Sequence, residues 1–446
     1  MSGSLVAQEN KQVARTFWRF AIPSIIAMLV SGVYQIIDGI FVGYFVGEQG
    51  LAGINLALPL LSVIIGLGLL VGMGGGSVLS NFRGENNTQA VSRTLSTALY
   101  LMIISGVIIS GLLLIWGDML LHMQGGKNAP GGDYLVIMSY AAVITIGSSA
   151  MPILIRNDNK PTLATQFIVI GALLNIVLDY ALIGHFEMGL RGAGIATVIA
   201  QLLTCLLCLG YFLRGNDSVS INLVQYDRHI CLRIMQLGSS SFVMFLYFGF
   251  TLSLHNTLLT SYGGLNHVAA FSIVGYIASL YYFFAEGLAG GVQPPVSYYQ
   301  GAKQYHNTLR TLKIATYVII GSGLLMVLVI NILPNIFTSL FTNDQALTFI
   351  AIHGLKLHLF TLYLDGLFFL VAIYFVAIGK GGAALFVSLG NVLVQLPFLW
   401  ILPKYMGIDG VWLAVPLSNL VFACAVIPMF WRSVNQFKKT DEPYLV

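Results

Sequence analysis

Long apolar segments follow one another along almost the whole chain, and they restrict the fold more than any other feature of the sequence. A segment of about 20 apolar residues has the length that an α-helix needs to cross a bilayer. Hydrophobic residues make up 57% of the 446-residue chain and charged residues 9%, against roughly 25% charged residues in soluble domains. We therefore predict an all-α integral membrane protein with twelve transmembrane helices. They are placed at residues 17–46, 52–81, 94–116, 134–155, 161–185, 193–213, 234–262, 268–299, 312–333, 349–378, 382–403 and 410–431.

An internal repeat divides these helices into two sets of six. Residues 51–95 align without a gap with residues 268–312, a shift of 217 residues (268 − 51) that pairs Gly84 with Gly301. Duplicated membrane proteins carry their binding site where the repeats meet, and they work by rocking one repeat against the other. We therefore expect two pseudo-symmetric six-helix lobes around a central cavity.

The most polar internal stretch of the sequence separates the two halves. It spans residues 214–233 and is predicted to be a cytoplasmic linker. The predicted organisation is thus an N-terminal lobe at 1–213, the linker at 214–233, and a C-terminal lobe with a short cytoplasmic tail at 234–446.

Lysine and arginine are distributed unevenly between the predicted loops. All but Lys127, Arg191, Lys404 and Lys356 of the 21 Lys and Arg residues fall on the side that holds the N-terminus. Cytoplasmic loops of membrane proteins carry such an excess of basic residues. We therefore predict a multi-pass plasma membrane protein, in the inner membrane of a prokaryotic cell, with both termini in the cytoplasm. The net charge of +4 reflects this topology and does not indicate nucleic-acid binding.

Four acidic side chains fall inside the predicted helices rather than in loops. They are Asp38, Asp179, Glu286 and Asp365. A carboxylate at membrane depth is costly, and it normally faces a cavity and marks a path for ions or protons.

Asp38 and Asp179 are predicted to lie at the same depth. At roughly 1.5 Å per residue, both fall about 10 Å below the outer surface. Asn175 lies four residues before Asp179, on the same helix face. Thr197 lies near the start of the next predicted helix, at a similar depth. These oxygen atoms suit either Na⁺ or proton storage, although helix–helix hydrogen bonding is the alternative interpretation. Burial and mutual repulsion in a shared dry pocket favour proton binding by the pair.

Further polar and aromatic residues accompany the buried acids. Tyr34 and Gln35 flank Asp38 and are predicted to tune its hydrogen bonds. Glu286 and Asp365 are candidates for attracting a cationic substrate or carrying a second proton, with structural pairing as the alternative. Aromatic faces attract cations, so Tyr281 and Tyr282 are candidates for the same site.

Several segments together give the chain a family resemblance over nearly its full length. They are IPSIIAMLVSGVYQIIDGIFVGYFVGEQGLAGINLALP at 22–59, IRNDNKPTLA at 155–164, NIVLDYALI at 175–183, GLRGAGIATVIAQ at 189–201 and GVQPPVSYYQGAK at 291–303. With the duplication, they resemble the multidrug and toxic compound extrusion (MATE) transporters. The resemblance implies export of organic, often cationic, compounds in exchange for H⁺ or Na⁺ by alternating access.

The resemblance also implies roles for individual residues. Several family members hold the coupling cation in the N-terminal lobe, at positions that match Asp38, Asn175, Asp179 and Thr197. Pro23 matches a first-helix proline at which some members bend, and a static kink is the alternative. The seventh predicted helix lacks the acidic residue that another branch uses for a C-lobe Na⁺ site, whereas Asp365 on the tenth helix is retained.

Other functions fit the sequence less well. A flippase for lipid-linked precursors needs a basic central cavity, and an intramembrane enzyme needs a clustered nucleophile and base or a metal motif. Neither pattern is present. A nucleotide-driven pump needs a phosphate-cradling GxxxxGK[ST] loop, which the sequence lacks. We thus expect a monomeric antiporter in the lipid bilayer that takes small organic substrates, is not an enzyme and uses no cofactor, with H⁺ or Na⁺ as the coupling ion.

Overall fold

The computed structural model describes residues 3–125, 131–214 and 225–441, and within these ranges the chain is helical and has no β-strand. The elements in order are α1 (Gly3–Phe45), α2 (Glu48–Gly84), α3 (Thr88–Gly125), α4 (Gly132–Tyr140), α5 (Ala142–Asn157), α6 (Pro161–Asp179), a π-helix (Tyr180–His185), α7 (Gly189–Leu213), α8 (Arg228–Gly263), α9 (Leu265–Gly301), α10 (Tyr305–Ile332), α11 (Pro334–Thr338), α12 (Gln345–His358), α13 (Leu362–Ala377), α14 (Gly381–Met406) and α15 (Ile408–Asp441). The predicted all-α membrane fold is confirmed.

The predicted membrane spans correspond to these helices. Across the described ranges, ten helices are long and apolar enough to cross a membrane, and two bent helix pairs raise the number to as many as twelve.

Two of the predicted spans are not continuous helices. The span at 134–155 is α4 and α5, which meet at 63°, and the span at 349–378 is α12 and α13, which meet at 48°. Neither break contains proline or glycine, so the local sequence gives no sign of it. Helix α8 begins at Arg228, so residues 228–233 of the predicted linker are helical. Residues 215–224 of that linker lie outside the described ranges.

Capping residues fix where individual helices begin. The Asp227 carboxylate accepts hydrogen bonds from the backbone N–H groups of His229 and Ile230, at 2.8 and 3.2 Å. These bonds satisfy donors that a helix N-terminus otherwise leaves free. Gly47 and Gly264, at repeat-equivalent positions between α1 and α2 and between α8 and α9, have φ angles of +86° and +79°. Glycine adopts this backbone region without a Cβ penalty.

The two halves meet in a pseudo-symmetric way that reproduces the sequence repeat. A Cβ added at Gly84 would collide with the carbonyl oxygen of Tyr298, and one added at Gly301 would collide with that of Asn81. The repeat pairs Gly84 with Gly301 and Asn81 with Tyr298. Equivalent residues of α2 and α9 therefore make equivalent contacts across the interface, which the absence of side chains at the two glycines permits.

The contacts between the halves lie towards one side of the bundle. This side, called the termini side below, contains the ends of the described chain and the loops at 85–87, 158–160, 302–304 and 379–380. Nδ2 of Asn157 donates to Oε1 of Gln293 at 2.9 Å. The hydroxyls of Ser77 and Ser297 lie 3.2 Å apart. Both pairs connect the N-terminal half to α9 and tie the halves together on the termini side.

Candidate functional site

The two acidic residues that fall inside predicted spans of the N-terminal half, Asp38 and Asp179, lie on α1 and α6. Asp179 is the last residue of α6 and is 0% exposed, whereas Asp38 on α1 is half-buried. Their carboxylates interact electrostatically. Asn175, one turn before Asp179 on α6, is 2% exposed. The structure thus places these three predicted residues in one buried cluster.

Several polar atoms of this cluster have no hydrogen-bond partner among the described residues. They are Oδ1 of Asp38, both Oδ atoms of Asp179, and Oδ1 and Nδ2 of Asn175. An unpaired buried polar group carries a large free-energy penalty. Four of the five atoms are oxygens, and oxygen atoms bind protons and hard cations such as Na⁺. The donor set therefore fits a monovalent cation.

The backbone changes its winding where Asp179 ends α6. Residues Tyr180–His185 form a π-helix, a rare conformation that frequently occurs at functional sites. Its extra residue per turn shifts the side chains that follow Asp179 relative to those before it. The carboxylate of Asp179 thus lies where the α-helical register ends.

Two tyrosines and a threonine complete the surroundings of the acids. Tyr34 lies one turn before Asp38 on α1 and interacts electrostatically with Asp38. Tyr134 on α4 lies near Thr197 and interacts electrostatically with both Asp38 and Asp179. The hydroxyl of Thr197 also donates to the carbonyl oxygen of Ala193 at 3.0 Å.

Tyr134 was not predicted from the sequence. It lies near the start of α4, and its position depends on the break between α4 and α5, which the sequence does not signal. Gln35 lies next to Tyr34 in the chain and is exposed.

Pro23 lies on α1 at some distance from this cluster. It is 15 residues before Asp38, which corresponds to about 22 Å along a helix. The helix continues through it without a break. The carbonyl oxygen of Pro23 accepts a hydrogen bond from the hydroxyl of Thr165 on α6 at 2.8 Å. Pro23 thus lies at a contact between the two helices that hold the acids.

A second polar cluster in the C-terminal half surrounds Asp365. Nδ2 of Asn419 donates to Oδ1 of Asp365 at 2.8 Å. Tyr247, Tyr281 and Tyr282 interact electrostatically with this carboxylate. The break between α12 and α13 places Asp365 in the first turn of α13. The structure places Asp365 near Tyr281 and Tyr282 of α9, two further residues of the predicted second site.

The tyrosines of this cluster also have packing roles. The buried hydroxyl of Tyr281 donates to the carbonyl oxygen of Ile319 at 2.8 Å. The ring of Tyr282 lies 6.4 Å from that of Phe369, between centroids. Tyr281 thus connects α9 to α10 within the C-terminal half.

Glu286 belongs to neither cluster. It is half-buried on α9 and interacts electrostatically with Arg156 on α5. Arg156, one of the basic residues on the side that holds the N-terminus, is 6% exposed. Its burial depends on α9 packing over the end of α5, a contact between the halves that sequence periodicity does not reveal.

The MatE family model matches both halves of the chain. The matches cover residues 23–181 and 240–401. They include Asp38, Asn175, Asp179, Glu286 and Asp365, and Thr197 lies between them.

Full-length similarity to known proteins accompanies this match. The chain is 26% identical over 425 residues to a multidrug export protein MepA of Staphylococcus saprophyticus, and 26% identical over 427 residues to one of Staphylococcus aureus. In both cases 94% of each chain is covered. A solved structure described as the outward-facing conformation of a multidrug resistance MATE family transporter superposes with a TM-score of 0.89. That comparison has 24% identity and covers 96% of this chain and 97% of the other, and it shows a common fold.

Proposed function

The chain belongs to the MATE family of membrane transporters, and from this premise we propose that it exports organic, often cationic, compounds in exchange for H⁺ or Na⁺. The relatives named multidrug export proteins support this substrate class. As a MATE protein, the chain is a transporter that needs no cofactor and is not an enzyme.

The buried cluster of Asp38, Asn175 and Asp179 is the observation that carries the proposed exchange. Five of its buried polar atoms have no partner among the described residues, a state that a bound cation would relieve. Asp38 and Asp179 would hold the ion or proton as charged ligands. Asn175 and Thr197 would add neutral oxygens. Tyr34 and Tyr134 would orient the carboxylates.

Alternating access would couple this site to export. Cation uptake from outside favours substrate release outward, and substrate binding from the cytoplasm favours cation release inward. If the substrate lowers the affinity for the cation, the cation lowers the affinity for the substrate by the same factor. Pro23 is the proposed hinge in α1, since proline removes one helical hydrogen bond.

We further propose that both termini lie in the cytoplasm and that the transporter is a monomer with lobes at 1–213 and 234–446. The termini side, where the halves are in contact, would then face the cytoplasm, and the described conformation would open outward. The Asp365 cluster and Glu286 are the proposed sites for the cationic part of the substrate. A flippase for lipid-linked precursors, which needs a basic cavity, is disfavoured. The buried cation Arg156 has an acidic neighbour, Glu286.

Dye efflux from proteoliposomes tests this function and identifies the ion. The purified protein is reconstituted with ethidium inside. Efflux is followed first with a pH gradient and no Na⁺, then with a Na⁺ gradient at equal pH on both sides. We expect efflux with the pH gradient, because two buried carboxylates favour proton binding. Efflux in both conditions would indicate a shared site. Efflux with the Na⁺ gradient alone would reject proton coupling, and efflux in neither would reject the proposal.

A further inference from the structure

A buried arginine of the N-terminal half has few bonding partners. Arg156 is the penultimate residue of α5. Its Nη1 donates to Oγ of Ser24 on α1 at 3.2 Å, and its Nη2 lies 3.9 Å from Sδ of Met73 on α2. Its Nε has no partner among the described residues. Neutral partners of this kind do not compensate a buried charge, which requires an opposite charge nearby.

The helix that carries Glu286 packs directly on this arginine. A Cβ added at Gly290 of α9 would lie 3.4 Å from both Nη1 and Nη2 of Arg156, and one added at Gly287 would lie 2.9 Å from the carbonyl oxygen of Ser24. Glu286 is four residues before Gly290, so the two share a helix face. The face of α9 that contacts Arg156 is therefore the face that bears the acid.

Glu286 is the acidic side chain on that face of α9. Its carboxylate is half-buried, interacts electrostatically with Arg156, and makes no hydrogen bond to the residues that the structure describes. Apolar side chains of Met73, Ile153 and Ile373 form a small cluster nearby, drawn from both halves. Water screens charges only weakly in such surroundings, so the attraction between these two charges extends beyond contact distance.

We propose that Arg156 is the resident counter-ion of Glu286 and competes with organic monocations for its carboxylate. This inference deepens the proposed function, on which it rests for the cationic nature of the substrate. A cation that binds Glu286 would weaken its attraction to Arg156. That attraction joins α5 of one half to α9 of the other on the termini side. Substrate binding would thereby loosen one of the contacts that close this side.

Equilibrium binding of ethidium to the purified protein in detergent, without any ion gradient, tests this role. Arg156→Gln removes the competitor, so ethidium should bind about tenfold more tightly, equivalent to about 1.4 kcal/mol. Glu286→Gln removes the attracting charge and should weaken binding by about tenfold. Arg156→Lys keeps the charge and should bind like the parent protein.

The double variant Arg156→Gln/Glu286→Gln separates competition from a structural role. Without the carboxylate there is nothing to compete for, so the double variant should bind ethidium with the same Kd as Glu286→Gln alone. An arginine needed only for packing would weaken binding by the same factor in both backgrounds, which would overturn the proposal. So would an unchanged Kd in Arg156→Gln, or no ethidium binding by the parent protein. Binding at equilibrium needs no coupling ion, so failure of gradient-driven export would leave this result interpretable.

Discussion

Asp38 and Asp179 bring buried carboxylate oxygens near one another, at a cost in free energy that hydrogen bonds to the described residues do not recover. Oδ1 of Asp38 and both Oδ atoms of Asp179 have no partner among the described residues. Unpaired buried carboxylates are unfavourable unless they bind a proton or another cation. The arrangement therefore destabilises the fold locally and is suited to binding an ion reversibly.

Neutralising either acid should uncouple transport from the ion gradient. Asp38→Asn and Asp179→Asn keep the size and hydrogen-bonding capacity but remove the charge. We expect gradient-driven ethidium efflux to fall at least about tenfold, because coupling between sites typically amounts to 5–150-fold. The fall in efflux is measured in proteoliposomes that contain equal amounts of parent or variant protein.

Asp133→Asn is the matched control, because Asp133 forms an exposed ion pair with Arg191 at 2.9 Å. Exposed pairs contribute little to stability, so this variant should transport like the parent protein. Parent-level efflux in both Asp38→Asn and Asp179→Asn would exclude the cluster as the coupling site.

Residues on regular helices could be predicted from the sequence, and residues placed by tertiary contacts could not. Asn175 and Asp179 share a face of one helix, so their spacing alone predicted their proximity. Arg156 and Tyr134 reach their positions through the contact between the halves and through a helix break. Neither that contact nor that break can be read from the sequence pattern.

The elements of the fold follow the apolar pattern closely, except where packing breaks a helix. The predicted span at 94–116 lies within α3 (Thr88–Gly125). The breaks between α4 and α5 and between α12 and α13 have no proline or glycine to signal them. The second break sets the position of Asp365 at the start of α13.

Close helix contact between the halves should depend on Gly238. A Cβ at this position of α8 would collide with the carbonyl oxygen of Leu70 on α2. Overpacking of this kind costs about 1–3 kcal/mol, and here it would push the halves apart on the termini side. We expect Gly238→Ala to lower both the thermal unfolding temperature and the efflux rate.

Gly249→Ala, on the same helix, is the control for that substitution. No atom lies within 4 Å of a Cβ added there, and alanine is favoured over glycine inside a helix by roughly 0.5–1 kcal/mol. Its stability should equal or exceed that of the parent protein. Equal behaviour of the two variants would contradict a close contact at Gly238.

Pro23 should matter for motion more than for stability. Pro23→Ala restores a backbone N–H donor to α1. It also removes a proline from the helix interior, and such a proline destabilises a helix by about 3 kcal/mol. We therefore expect a higher unfolding temperature together with slower efflux. Pro59→Ala, at an exposed proline inside α2, should leave the efflux rate unchanged. Efflux at the parent rate in Pro23→Ala would mean that the kink is static.

At the scale of the whole molecule, the duplication accounts for both the fold and the interface. Equivalent residues of α2 and α9 contact each other on the termini side, as the shift of 217 residues (268 − 51) between the two copies leads one to expect. The shift itself could be read from the sequence. Which sides of the two halves touch could not, because a transporter of this architecture closes either side.

Cysteine labelling in intact cells should locate the termini side in the cytoplasm. In a variant without native cysteines, Arg228→Cys at the start of α8 should be shielded from an impermeant thiol reagent. Tyr405→Cys, at an exposed residue on the opposite side, should be labelled. The reverse labelling pattern would show that the termini side faces outward, contrary to the proposal.

Ion movement driven by substrate tests the central claim of cation exchange most directly. Proteoliposomes are prepared with no ion gradient, and an ethidium gradient is imposed while internal pH and ²²Na⁺ are followed. We predict that ethidium moving in one direction drives protons in the other, because linkage between the two ligands is reciprocal, and that Asp38→Asn abolishes this proton flux. Na⁺ movement in place of protons would change the ion but keep the mechanism. Ethidium equilibration without movement of either ion, or ion flux that persists in Asp38→Asn, would contradict it.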